Sequence, residues 1–140
     1  MAIDLSQKLM PTIGMVAIKN ADGSPMLDGD GKPAFARMHT PASKTWEVAH
    51  ASQRRKSMRR VREHGGRIEA VADDLQDTIE FLVAVTEEFV NVAMPLPEGQ
   101  TGAKALVRAI YENPQLGYIR DQMEANSKDW GAFLDQSESN

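Results

Sequence analysis

From Ile68 to Ala93 the apolar positions recur every three or four residues: Ile68, Val71, Ala72, Leu75, Ile79, Leu82, Val83, Thr86, Phe89, Val90 and Ala93. That period predicts one long helix over 67–94. Its first half carries Asp73, Asp74, Asp77 and Glu80 on the opposite face. Its second half adds Phe81, Val85 and Val92, so it is apolar nearly all round and reads as the central core helix. At 1.5 Å per residue it would run about 40 Å, longer than so small a domain needs.

A different period rules the N-terminal part. TIGMVAIK at 12–19 is apolar and partly β-branched, and AFARMHT at 34–40 alternates loosely. Both read as strands. Between them lies NADGSPMLDGDGKP, dense in Gly, Pro, Asp and Asn, with a near-repeat of DGSP and DGKP. That is turn chemistry. The expectation is a β-hairpin over 12–40 with a long tip. A lone hairpin is marginal in water, so it must pack on the helices or add to another chain's sheet.

TPASKTWEVAHASQRRKSMRRVREHGG predicts a helix over 42–64, with Pro41 in its first turn or Ser43 capping it, stopped at Gly65-Gly66. PLPEGQTG interrupts the chain, and AKALVRAIYE resumes as a helix over 102–112. In YENPQLGYIRDQ, Asn113 is an N-cap and Pro114 a first helical residue, predicting a corner and a helix over 114–126. Ser127 caps a last short helix, 128–134, and 135–140 should fray. The expected fold class is mainly α: a small helical domain with an N-terminal β-hairpin, in one domain of 140 residues.

Composition narrows the function classes. There are no cysteines, so disulfides and thiolate metal sites are excluded. No apolar run is long enough to span a membrane, and the N-terminus lacks the pattern of a signal peptide. A cytoplasmic location is expected. The net charge of −4 hides an asymmetry. Residues 1–67 hold twelve Lys and Arg against six Asp and Glu, and residues 68–140 hold four against fourteen. Such a split suits nucleic-acid contact by one half, or copies that associate basic part to acidic part.

The basic residues concentrate in one helix: Arg54, Arg55, Lys56, Arg59, Arg60 and Arg62. A solvated face, a protein partner or sister subunit with an acidic face, and DNA or RNA all fit that run. Trp46 is the one aromatic near it, and no helix-turn-helix, zinc or sheet-based RNA motif surrounds it. Tyr111, Tyr118, Trp130 and Phe133 gather in the last thirty residues, either closing a satellite core or serving as interface anchors.

Catalysis finds little support. His39, His50 and His64 show no metal spacing, and no phosphate-binding loop is present. Asp28 and Asp30 open a calcium-like spacing, but Lys32 and His39 stand where oxygen ligands would be needed. Neither metal nor cofactor is expected, and the chain reads as a non-enzyme.

Three stretches resemble one family, the tail assembly chaperones of long-tailed, siphovirus-like bacteriophages and prophages. They are DGDGKPAFARMHTPASKTW, the arginine-rich QRRKSMRRVRE, and FLVAVTEEFVNVAMPLPEGQTGAKALVRAIYENPQLGYIRDQMEANSKDWGAFL. Together they cover roughly residues 30–135. The resemblance implies a non-catalytic protein that binds the phage tape measure protein and keeps it soluble while tail-tube protein assembles on it. It also implies many copies acting together in the host cytoplasm, absent from the finished virion. Arg54, Arg55, Arg59, Arg60, Arg62, Tyr111, Tyr118, Trp130 and Phe133 are the candidate residues for partner binding or self-association. The alternative is a small DNA- or RNA-associated protein using the arginine-rich helix, 54–67.

Overall fold

The computed structural model describes residues 1–64 and 69–133. Two strands come first, β1 (Ile13–Ala17) and β2 (Phe35–His39). Two helices follow, α1 (Lys44–His64) and α2 (Glu69–Val85), then a third strand, β3 (Thr86–Val90). The chain continues through α3 (Ala103–Glu112), a 3-10 turn at Pro114–Leu116 and α4 (Gly117–Asn126).

The hairpin expected over 12–40 forms, with Ile13 opposite His39 and Ala17 opposite Phe35. Its tip is built from two Asx-type turns. Asp22 accepts from the Ser24 amide, and Asp28 Oδ1 accepts from the amides of Asp30 and Lys32. Gly23 and Gly31 take the positive φ angles that these turns require. The second oxygen of Asp28 accepts from Asn91 Nδ2, so its carboxylate is engaged in shaping the turn.

The long helix expected over 67–94 is corrected. Helix α2 ends at Val85 and the chain passes directly into β3, which pairs antiparallel with β2. The apolar positions 86, 89 and 90 keep the three-four spacing of a helix and break strict alternation, because a bulge sets Thr86 and Phe89 on the same face of the strand, so spacing alone pointed to a helix. Three contacts beyond this segment decide it. The ammonium of Lys104 on α3 donates to the carbonyls of Val83 and Thr86, taking up acceptors at the end of α2. The Thr86 hydroxyl bonds the buried Tyr111 hydroxyl at 2.8 Å. Asn91, at φ 65°, ends the strand and donates to Asp28 and to the carbonyls of Lys32 and Pro33. The sheet therefore has three strands in the order β1-β2-β3, and the fold is mixed α and β, not mainly α.

The inner face of the sheet carries Val16, Ala36, Met38 and Phe89 into the core. Phe81, Leu82 and Val85 of α2, Val107, Ile110 and Tyr111 of α3, and Ile119 and Met123 of α4 meet them there. Ser43 caps α1, accepting from the Trp46 amide, and Asn113 caps the 3-10 turn that leads into α4. The last helix expected over 128–134 with Ser127 as its cap is helical from 130 to the last described residue, buried Phe133, with Asp129 and not Ser127 accepting from the Gly131 amide. The Gly65-Gly66 stop, Arg67 and the tail 135–140 lie outside the described residues.

Candidate protein-binding surface

Helix α1 packs against α2 along one side and leaves the other to solvent. Val48, Arg55, Met58, Arg59 and Arg62 recur at helical spacings of three, four and seven on that outward side. Val48 and Met58 are 57% and 59% exposed, large fractions for apolar side chains outside any core. Val61 and, on α2, Leu75 are about half exposed along the flank. Near the start of α1, an open apolar cleft of about 500 Å³ is lined by Val48, Ala49 and Ala84 with Lys44, Thr45 and Ser52. Apolar side chains thus alternate with guanidinium groups along one exposed ridge.

The candidate arginines divide into two kinds. Arg54, Arg55, Arg59 and Arg62 are exposed and make no ion pair among the described residues. Arg60 does not belong with them. Its guanidinium grips both oxygens of buried Asp77 and reaches Asp74 at 3.6 Å, bracing α1 against α2. Spacing missed this because the partner lies on another helix.

The aromatic candidates are also split. Tyr111 is wholly buried, its ring 5.4 Å from Phe89, and burial pushes its hydroxyl pKa well above the ordinary value. Phe133 is buried against β1, where a Cβ on Gly14 would sit 2.9 Å from its ring. Neither offers a surface, so both are corrected to interior residues, and they belong to the main core and not to a satellite one. Tyr118 is half-buried against the core, and Trp130 alone of the four is half exposed.

Trp46 does a different job from base stacking. Its indole donates to the Ser127 carbonyl at 3.0 Å, and its ring stacks on His50 at 4.6 Å and meets Phe81 edge-on. Burial, reinforced by nearby Lys128 and Arg54, pulls the His50 pKa below its ordinary value. Elsewhere, Gln122 donates to the Lys19 carbonyl and accepts from its amide, closing α4 onto the chain just beyond β1.

No group of three or more His, Cys, Asp or Glu placed to hold a metal occurs among the described residues. No described helix is long and apolar enough to cross a membrane. Compared with family models, curated proteins and solved structures, the chain gives no match.

Proposed function

We propose that this chain is a non-catalytic tail assembly chaperone of a long-tailed bacteriophage or prophage. In this reading it works in the host cytoplasm, binds the tape measure protein and keeps that long helical chain soluble while tail-tube protein assembles on it. It leaves before the virion is complete. The observation that carries the reading is the outward side of α1, where exposed Val48 and Met58 alternate with Arg55, Arg59 and Arg62. Such a ridge suits an amphipathic helix, with apolar anchors between the guanidiniums and carboxylates on the partner facing them. The four guanidiniums without an ion pair among the described residues favour a second reading, a DNA- or RNA-associated protein held by phosphate contacts.

Co-expression of the tagged chain with a tape measure protein separates the two. The chaperone reading expects a protein complex that survives high salt and is lost in Val48→Asp/Met58→Asp. The nucleic-acid reading expects bound material with a nucleic-acid absorbance ratio that washes off with salt. It further expects that Arg55→Glu/Arg59→Glu/Arg62→Glu abolishes that binding. Capture of nucleic acid and no tape measure protein would sink the chaperone reading.

A further inference from the structure

The sheet has two faces, and only one is used by the core. The residues alternating with the core set are Ile13, Met15 and Ala17 on β1, Phe35, Arg37 and His39 on β2, and Glu88 and Val90 on β3. Ile13, Met15, Ala17, Phe35 and Val90 neither belong to the core nor pack against it. An antiparallel sheet with one solvated face ordinarily alternates apolar inward with polar outward. This outer face instead mixes the two kinds: Ile13, Met15 and Ala17 stand on β1, and on β2 and β3 Phe35 and Val90 lie beside the Arg37–Glu88 ion pair and the His39–Glu87 contact.

The order across the face is specific. Phe35 lies opposite Val90, and Arg37 lies opposite Glu88 with 3.6 Å between their charged atoms. A register shift between Arg37 and Met38 leaves one extra residue in β3, Glu87, which turns to the same face and meets His39 at 3.4 Å. A bulge of this kind re-aims a side chain. Each row therefore pairs a β2 residue with a complementary β3 residue: Phe35 with Val90, the Arg37 guanidinium with the Glu88 carboxylate, and the His39 imidazole with the Glu87 carboxylate.

We propose that the outer face of β2 and β3 binds the same face of a second copy of this chain, about a two-fold axis parallel to the strands and midway between them. That rotation exchanges β2 with β3 and keeps each row in place. Phe35 then faces Val90 of the partner subunit, Arg37 faces the partner's Glu88, and His39 faces the partner's Glu87. No other in-plane axis along or across the strands does this as well. An axis on β2 itself would set Arg37 against its own copy. Two such sheets stack about 10 Å apart with side chains interleaved. The strand β1 falls at the rim, and the ridge of α1 is not part of the contact. The proposal does not rest on the chaperone reading.

The test uses the full chain in sedimentation velocity over the micromolar range. The wild type should sediment as a dimer. Arg37→Glu alone and Glu88→Arg alone each set like charges across the two-fold twice and should weaken the dimer by roughly a hundredfold or more. An equimolar mixture of the two variants should recover it, because the two carboxylates of one copy's row then face the two guanidiniums of the other's. If circular dichroism shows either charge variant to be unfolded, Phe35→Ser takes its place, expected to weaken the dimer while rim variant Ile13→Ser leaves it intact. A monomeric wild type, variants that dimerise like it, a mixture that stays monomeric, or equal effects of Phe35→Ser and Ile13→Ser would each overturn the proposal.

Discussion

Arg60 and Arg55 sit five residues apart in the same helix and have opposite fates. Arg60 holds Asp77, which is 5% exposed, and its own side chain is 19% exposed. Arg55 faces water and makes no ion pair among the described residues. Removing one partner of a buried pair leaves an uncompensated charge, whereas an exposed charge contributes little. Arg60→Ala should therefore lower unfolding stability by about 3 kcal/mol. Arg55→Ala should change it by less than about 0.5 kcal/mol. Urea denaturation of the two variants checks this. Equal effects would mean that the Arg60–Asp77 contact does not brace the helices. Read from sequence, the two arginines are alike in type and setting. What separates them is which side of α1 faces α2, and modest apolar content left that orientation poorly defined.

At the scale of elements, the junction between α2 and β3 has no intervening loop. The carbonyls that a continuing helix would have used inside itself are partly taken by Lys104 from α3. Burial pulls the pKa of that ammonium below its ordinary value. The same segment is held by Thr86 to Tyr111 and by Asn91 to the turn at Asp28. Lys104→Met keeps most of the apolar stem and removes the donor. It should destabilise the protein by about 1 kcal/mol. It should also speed amide exchange across 86–90 more than across α4, because the local opening involves β3 first. Uniform exchange, or none beyond wild type, would show that strand pairing alone decides the junction. The hairpin, the cap at Ser43 and the corner at Asn113-Pro114 were legible in sequence because each rests on local turn or cap chemistry. β3 was not, since Thr86, Phe89 and Val90 keep helical spacing, the bulge that puts Thr86 and Phe89 on one face leaves no alternation to read, and its pairing partner lies about fifty residues earlier.

Across the whole molecule, closure depends on contacts between the two chain ends. The Trp46 indole reaches Ser127, Gln122 reaches Lys19, and Phe133 packs over Gly14 on β1. Glycine at 14 serves closeness and not backbone angle, since it lies in a regular strand. A methyl group there would meet the Phe133 ring at 2.9 Å and either displace it or bend the sheet. Gly14→Ala should lower stability by roughly 1–3 kcal/mol, the range for overpacking a filled site. Truncating the ring in Phe133→Ala, itself destabilising, should sharply reduce the cost of the added Gly14→Ala change, leaving only the 3.2 Å approach to the Cβ at 133. A thermal-melt double-mutant cycle reads this coupling, and additive effects would show that the last turn does not seat on β1.

Periodicity, turn residues and caps determined by themselves most of the helices, the hairpin and the concentration of arginine in one helix. Those features follow from interactions within a few residues of one another, so they are written in short windows. The tertiary structure decided that the end of the long apolar run is a strand. It also decided that Arg60 is a brace and not a surface charge, that Tyr111 and Phe133 are interior, and that one face of the sheet lies outside the core. Each of these depends on a partner far along the chain, and a backbone group, a charge or an apolar ring takes its role from what finally packs against it.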